Sequence, residues 1–406
     1  MPGTSPEGTP VPTDGRLPAR SLDQLGTVPF GLYVHVPFCA SRCGYCDFNT
    51  YTASELGGGA SRESYASLAV TEIGLARKVL GPAAPAVSTV FFGGGTPTLL
   101  PPADLAVILR AIGAEFGLAD GAEVTTEANP ESVDQQALAE LRDAGFTRIS
   151  LGMQSAASHV LAVLDRVHSP GRAEQCVALA RSAGFEHVSL DLIYGTPGED
   201  AQDWEFSVRS AIDAGPDHIS AYALIVEEGT RLAARIRRGE LPAPDDDEMA
   251  DRYLAANEML SAARMRWYEV SNWATGPDAA CRHNLLYWTG GNWWGVGPGA
   301  HSHVGGTRWW NVRHPAAYGS RMAAGVSPGQ AREVLTETER RTERILLETR
   351  LAAGCPRSLL GPAGERAAAA AVADGLAEQA AFEAGRVVLT TAGRLLADAV
   401  IRGLTD

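Results

Sequence analysis

Between residues 30 and 225, short apolar runs alternate with longer stretches whose apolar positions recur every three or four residues. The short runs are FGLYVHV (30–36), STVFFGG (88–94), EVTTE (123–127), TRISLG (147–152), HVSLDLIYG (187–195) and DHISAYAL (217–224). Their Val, Ile, Phe and Tyr content predicts strands. Between the first two, Tyr65, Leu68, Ala69, Ile73, Ala76 and Val79 share one helical face. Six β-α units in succession predict an α/β fold with a parallel sheet, because parallel neighbours need a crossover of helix length. A closed eight-unit barrel needs two more units, so an open, partial (β/α)6 barrel over residues 29–240 is the expected architecture.

Beyond residue 240 the pattern changes. LPAPDDDEMADRYLAANEMLSAARM begins as a Pro/Asp loop and becomes a helix, and a Trp-, Gly- and His-rich stretch, YEVSNWATGPDAACRHNLLYWTGGNWWGVGPGAHSHVGGTRWWN (268–311), follows. Together they form an extension over 241–318. Residues 319–406 read as a small, mainly helical domain. Its end, RVVLTTAGRLLADAVIRGL, predicts a strand and then a helix capped near Thr390 or Thr391, an arrangement that suits a winged-helix-like module. Residues 1–28 are rich in Pro, Gly, Ser and Thr and are expected to form a disordered tail. With no basic n-region and no apolar h-region, they do not read as a secretory signal.

Charge narrows the function. A formal charge of −14 and a pI near 5.2 argue against nucleic acid, because phosphate binding needs a basic face. The local cluster RIRRG (235–239) reads as a solvated helix end. No apolar run reaches the length of a membrane span. Of six cysteines, Cys39, Cys43 and Cys46 fall together, which favours metal over disulfides and places the chain in a reducing cytoplasm.

Those three cysteines lie in YVHVPFCASRCGYCDFNTY (33–51), spaced C-x3-C-x2-C. Zinc closes with four ligands, commonly two Cys pairs, and here there is one triple. His35 is a candidate fourth ligand, but it sits within a strand. Three thiolates on a cubane iron–sulfur cluster leave the fourth iron open, and an open coordination position is where a ligand reacts. Other polar residues fall late in the strands or just after them: Gly93, Gly94 and Gly95, Glu127, Gln154 and Asp191. In αβ barrels the C-terminal strand ends build the active site.

C-x3-C-x2-C after a first strand resembles the radical S-adenosylmethionine (SAM) superfamily. The resemblance implies that Cys39, Cys43 and Cys46 hold a 4Fe–4S cluster whose open iron chelates the amine and carboxylate of SAM. One electron from the cluster then cleaves the sulfonium to methionine and a 5′-deoxyadenosyl radical. GGGTP (93–97) lets backbone approach such a ligand closely, although a tight βα turn explains it equally well. Glu127 and Asp191 suit the amine or ribose hydroxyls, the alternatives being helix caps or ion pairs. Arg166 offers a planar fork to a carboxylate, or it is a surface charge. More narrowly, LYVHVPFC, FFGGGTPTLL, TTEANPE, SLGMQS, LDRVHS and DLIYGTPGE resemble the HemN/HemW family, the oxygen-independent coproporphyrinogen oxidases and their relatives, over nearly the whole folded chain. This implies that Tyr33, Gly94, Gly95, Thr96, Glu127, Gln154, Arg166 and Asp191 line the SAM pocket, with Tyr45 against the ligand from inside the cysteine loop.

Two features choose a branch of that family. The oxidases carry a further cysteine two residues past the third, where this chain has Phe48, and CDFNTY is similar instead to the heme-chaperone branch. RHNLLYW (282–288) matches that branch's HNxxYW signature. The resemblance implies a heme chaperone that delivers heme to haemoproteins, with membrane respiratory enzymes as the expected acceptors. His283 would be the axial ligand, with Asn284, Tyr287 and Trp288 around the porphyrin. For an isolated histidine of this kind core packing is the better explanation, and it is the whole-chain resemblance that reverses the preference. The rival reading is a radical SAM enzyme of porphyrin metabolism, and a third is a zinc-stapled barrel. Cys281, His283, His301 and His303 form a competing metal set. Cys355-Pro356 resembles a heme-responsive dipeptide, and Cys176 reads as buried helix core. A homodimer is a candidate assembly.

Overall fold

The computed structural model describes residues 8–56, 61–166 and 169–405. Its strands are β1 (Thr9–Pro10), β2 (Phe30–Val36), β3 (Val87–Gly94), β4 (Leu118–Ala128), β5 (Arg148–Gln154), β6 (His187–Tyr194), β7 (His218–Ala223), β8 (Arg266–Glu269), β9 (Asn272–Ala274), β10 (Asn292–Val296), β11 (His301–Val304), β12 (Thr307–Asn311), β13 (Gly329–Val334), β14 (Cys355–Pro356) and β15 (Arg386–Val387). The first thirteen form one sheet in the order β1-β13-β12-β11-β10-β2-β3-β4-β5-β6-β7-β9-β8. From β2 to β7 every neighbouring pair is parallel, as the six βα units predict.

Alternation along these strands separates two environments. Leu32, Val34, Val90, Phe92, Val124, Ile149, Leu151, Val188, Leu190, Leu192 and Ile219 are buried on the outer face. They pack with Ile73, Leu105, Ile108, Leu141, Val177 and Val208 of the crossover helices in one core. The other parity is polar or small: Tyr33, Thr89, Phe91, Glu123, Thr125, Glu127, Arg148, Ser150, Ser189, Asp191, His218 and Ser220 face inward. An apolar outer face and a polar inner face are what a ligand-binding barrel needs from period-2 strands.

Three expectations need correction. β4 starts at Leu118 rather than 123, because Leu118 pairs with Val87 before the register shifts. The parallel run has a seventh member, since β10 from the Trp/His/Gly-rich stretch lies parallel beside β2. β8 and β9 meanwhile extend the opposite edge beyond β7, so the extension contributes to both margins, one of which is completed by β13, from the stretch expected to belong to the C-terminal domain, and by β1. The third concerns the tail over 1–28. Residues 1–7 lie outside the described residues, but from Gly8 onward the segment is built in. β1 pairs with edge strand β13, Leu17 enters the core, and the Ser21 hydroxyl meets Thr307 Oγ1 at 2.7 Å. Pro10 is tolerated because an edge strand does not need every N–H.

The C-terminal part has its own small core of Ile345, Cys355, Ala368, Val387, Leu389, Val400 and Leu404, formed by helices Glu337–Glu348, Pro362–Ala373 and Ala397–Thr405 around β14 and β15. As expected, Thr390 caps the helix Thr391–Leu395 by accepting from Gly393 N–H at 3.1 Å. Cys176 and Cys355 are both buried.

Helix Arg62–Leu80 buries Tyr65, Ala69, Ile73 and Ala76 on its predicted face, together with Glu72. The Glu72 carboxylate is fully enclosed. It accepts from Gly297 N–H (2.7 Å), Asn311 Nδ2 (2.7 Å) and the Tyr318 hydroxyl (2.6 Å). Removing the carboxylate leaves three buried donors without their acceptor, and each unmet group costs about 1–3 kcal/mol. Glu72→Ala is therefore expected to lower unfolding stability by about 3 kcal/mol in urea denaturation. A loss below about 1 kcal/mol would mean that water replaces the carboxylate.

Candidate cluster and cofactor site

The loop after β2 carries the three cysteines and is held by backbone bonds on several sides. Cys39 N–H donates to Tyr51 O (3.1 Å), Gly44 N–H to Leu164 O (2.9 Å), and Leu232 N–H to Gly44 O (2.8 Å). From β3, Gly95 N–H reaches Val36 O (2.8 Å) and Thr96 N–H reaches Phe38 O (2.7 Å). Any side chain at Gly95 would collide with the Phe38 carbonyl. This glycine is thus required for the close passage of β3 against the loop. All three cysteines are free and half-buried. Burial pushes the Cys39 thiol up, opposed by the Thr50 and Thr96 hydroxyls beside it. It pushes Cys46 up to about 11.

Around this loop the structure assembles most of the expected set. Arg166 points Nη1 at Cys43 Sγ (3.6 Å) and Nη2 at Gly152 O (3.0 Å). Gly152 leaves room for it, since a Cβ there would lie 2.6 Å from Nη2. Val167 and His168 of the LDRVHS motif lie outside the described residues. Glu127 accepts from Gly94 N–H at 3.1 Å. Asp191 accepts from Ser150 Oγ (2.9 Å) and Ser220 Oγ (2.8 Å). Gln154 closes β5 in the left-handed region, at φ 65°, where the register with β6 shifts. Tyr45 packs with Leu164, Ile193, Leu224 and Leu232.

The electrostatics suit a cationic ligand, beyond the Arg148 and Arg166 charges that already favour the Asp191 carboxylate. Glu127 is pushed up to about 8 by burial and then by the neighbouring Asp191 charge, against the Gly94 N–H. Burial also raises Asp191, against its two serine donors. Two enclosed carboxylates whose charges oppose each other are a costly arrangement unless a positive group comes between them. The sulfonium and ammonium of SAM are such groups. Three free, half-buried thiols on one loop are the donor set for a cluster with one open iron. Among the described residues no set of His, Cys, Asp and Glu is gathered tightly enough to close round a single ion. The iron corners of a cubane hold their thiolates farther apart than one metal ion does.

His35 sits differently from its sequence reading, whereas Tyr33 lies on the inward face within reach of the Glu127 charge. His35 Nε2–H donates to Asn49 O (2.9 Å), so Nδ1 is left to accept from the Tyr33 hydroxyl (3.0 Å). Both nitrogens are occupied, and His35 is not offered to a metal. The Tyr33 ring stacks toward Phe91 (6.3 Å) and His283 (6.5 Å). Ser150, Ser220 and Asn49 escaped the sequence reading. The serines share a strand face with Glu127 and Asp191, which was a readable signal.

The HNxxYW helix, Arg282–Trp288, lies at the opposite end of the strands. His283 N–H donates to Glu123 Oε1 at 3.0 Å, in the middle of β4 and level with Thr89 near the start of β3. Its ring nitrogens meet Thr89 Oγ1 and the Tyr287 hydroxyl, each at 2.8 Å. Asn284 Nδ2 donates to Glu269 Oε1 (2.8 Å), and Trp288 lies beside that carboxylate. Burial pushes His283 down to about 3. The four-residue metal set is dispersed. Cys281 Sγ faces Glu123 (3.7 Å), His301 stacks on Trp310, and His303 donates from Nδ1 to Gly291 O and accepts from Gly306 N–H.

Residues 33–211 match the Radical SAM superfamily. The chain is 54% identical over 93% of its length, and 95% of the relative's, to Heme chaperone HemW of Mycobacterium tuberculosis. It is 36% identical to Heme chaperone HemW of Escherichia coli over 68% of this chain and 70% of that one. It is 40% identical to mouse Radical S-adenosyl methionine domain-containing protein 1, mitochondrial, over 69% and 64%. Among solved structures, Escherichia coli coproporphyrinogen III oxidase (HemN) superposes with a TM-score of 0.81 at 20% identity, over 98% of this chain and 96% of that one. The shared fold includes the parallel core and both extended margins.

Proposed function

The chain belongs to the HemW family of heme chaperones, within the radical SAM superfamily, and from this premise we propose that it binds a 4Fe–4S cluster, SAM and heme in the cytoplasm and passes heme to acceptor haemoproteins. The observation that carries the reading is 54% identity across 93% of the chain. The half-buried triple of thiols beside two enclosed carboxylates supports it. No helix among the described residues is long and apolar enough to cross a membrane, so membrane respiratory enzymes, as acceptors, would be met through a protein contact.

Cys39, Cys43 and Cys46 would hold the cluster, which supplies an electron and an open iron for the amino-acid end of SAM. Arg166 sets its guanidinium against the Cys43 sulfur, Nη1 at 3.6 Å, and ties it to the end of β5 through Gly152 O. Gly94 and Gly95 keep the floor of the site free of side chains. Glu127 and Asp191 neutralise the cationic part of the ligand, and Ser150 and Ser220 hold the Asp191 carboxylate in one orientation. Phe48, 58% exposed, places no thiolate at the position where the oxidases carry a cysteine.

The test is anaerobic reconstitution, then a heme titration read by absorbance beside a 5′-deoxyadenosine assay with coproporphyrinogen III. Saturable heme binding without coupled CO2 release is the expected result. Stoichiometric 5′-deoxyadenosine and CO2, with no heme binding, would replace the chaperone reading with an oxidase.

Heme ligation by His283 is part of the proposal. Two features support it: HNLLYW matches the family signature, and burial keeps the imidazole neutral, the form that binds iron. Both ring nitrogens are occupied, so ligation requires the ring to leave Thr89 or Tyr287. His283→Ala is expected to weaken heme binding at least about ten-fold, or about 1.4 kcal/mol, with the cluster spectrum intact. Unchanged heme affinity together with a lowered melting temperature would make His283 a packing residue of the barrel floor.

A further inference from the structure

Asn49 stands three residues past the last cluster cysteine, and its hydrogen bonds join two separate parts of the chain. It is 9% exposed. Its Nδ2 donates to Pro298 O at 3.0 Å and to Arg313 O at 2.8 Å, both more than 240 residues away in sequence. Its Oδ1 accepts from the Tyr51 hydroxyl at 3.2 Å, and its backbone carbonyl accepts from His35 Nε2 at 2.9 Å. Both amide hydrogens and both oxygens are thus engaged. Tyr51 reaches the same strap, its hydroxyl donating to Arg313 O at 3.3 Å and its ring meeting His314 at 5.4 Å, but only the Asn49 amide takes both carbonyls.

That segment is itself rigid. Gly297 N–H is held by Glu72 (2.7 Å), and Asn311 Nδ2 bridges the Gly297 carbonyl (2.9 Å) and Glu72 (2.7 Å). Gly299 lies at φ 75°, and a Cβ there would sit 2.5 Å from Asn49 Nδ2. Its glycine is required both by the backbone conformation and by the amide packed against it. An anchored strap therefore presents two carbonyls at fixed positions, and Asn49 is the residue of the cysteine loop that takes both.

We propose that Asn49 is a positioning residue for the cluster: by fastening the C-terminal limb of the cysteine loop to the 297–313 strap, it sets where Cys46 stands relative to Cys39 and Cys43. The inference rests on the cluster reading of the three thiols. Partners that orient metal ligands without touching the metal affect metal retention strongly, about 10- to 100-fold when removed. A loop that only needs to be folded would not show this, because backbone bonds from Gly95 and Thr96 tie its N-terminal limb and the Cys39–Tyr51 and Tyr51–Pro37 bonds close its base without the Asn49 side chain.

The experiment uses the full reconstituted protein with three substitutions. Asn49→Ala removes the fastener, Gly299→Ala presses on the same amide from the strap side, and Leu141→Ala matches the stability loss from a distant core position. The readouts are iron release to a chelator, and the EPR spectrum of the reduced cluster with and without SAM. Iron release is expected to quicken about ten-fold or more in both Asn49→Ala and Gly299→Ala, with an altered EPR line shape and little further effect on combining them. Leu141→Ala should keep the wild-type spectrum. Wild-type iron retention and line shape in Asn49→Ala overturn the proposal, as does an equal change in Leu141→Ala, which would reduce Asn49 to a stability role. A wild-type protein that takes up no 4Fe–4S cluster defeats the underlying reading, and the proposal with it.

Discussion

Cys43→Ala is expected to abolish cluster assembly, taking the reconstituted protein from about four irons per chain to below about one and removing its charge-transfer absorbance. Three thiolates are already the minimum set for a cubane with one open iron. Cys43 is the thiol whose sulfur has a guanidinium against it, Arg166 Nη1 at 3.6 Å, so its loss removes a ligand and leaves that cation facing a methyl group. The fold should survive. The loop is tied by backbone bonds at Cys39, Gly44, Gly95 and Thr96 that do not involve the Cys43 side chain, and the cysteines contribute little to the main core. Cys176→Ala and Cys355→Ala provide the contrast: both residues are buried, one in a crossover helix and one in the C-terminal core, and should keep full iron content. A Cys43→Ala protein that retained a SAM-responsive cluster signal would overturn the ligand assignment.

The same comparison separates the two ends of the barrel. The thiols, Glu127, Asp191 and Arg166 gather at the C-terminal strand ends, while His283 is bonded to Thr89 near the start of β3 and to Glu123, which pairs with Thr89. Tyr33 and Phe91 fill the space between, with Phe91 and His283 rings 5.3 Å apart. If heme is taken at the HNxxYW end, its affinity should be little affected by cluster loss. A heme affinity that falls in step with iron content would place the two ligands on one surface.

What was legible in the sequence was local. Short runs rich in Val, Ile, Phe and Tyr marked β2 to β7 and put Glu127 and Asp191 late in their strands, and the cysteine spacing needed no tertiary information. Pairings made over long separations were not legible. Nothing in NWWGV announces that it will lie parallel beside FGLYVHV. A Glu at position 72, on a helix otherwise read by its apolar stripe, gives no sign that Gly297, Asn311 and Tyr318 will surround it. The tail illustrates the reverse error. Pro, Gly and Ser content reads as disorder because such residues bury little, yet one edge strand with an unpaired side was enough to recruit Thr9 and Pro10. His283 shows the limit of a motif, since a signature identifies residues that matter without saying which of their atoms are free.

SAM binding to the reconstituted protein is expected to release close to one proton at pH 7. In the ligand-free site Glu127 is pushed up to about 8 from an ordinary value near 4.5, so at pH 7 it is mostly protonated. A sulfonium or ammonium placed beside it favours the carboxylate and draws its pKa back down. Because the bound form holds fewer protons than the free form, affinity rises with pH between the bound and free pKa values. The slope approaches ten-fold per pH unit between about pH 5 and 8 and flattens above 8. Asp191 faces the same space and contributes in the same sense, although its two serine donors already favour its ionised form. Tyr33 adds no titration here, as burial holds its phenol above the usual range. Glu127→Gln should remove most of the pH dependence and weaken binding at pH 8 by about 2 kcal/mol, roughly thirty-fold. At pH 5, where the wild-type group is neutral in the free protein, the difference should narrow. Calorimetry in buffers of different ionisation enthalpy measures the proton count directly. Affinity that is flat from pH 5 to 8, with no proton released, would mean that the cationic end of SAM lies away from Glu127.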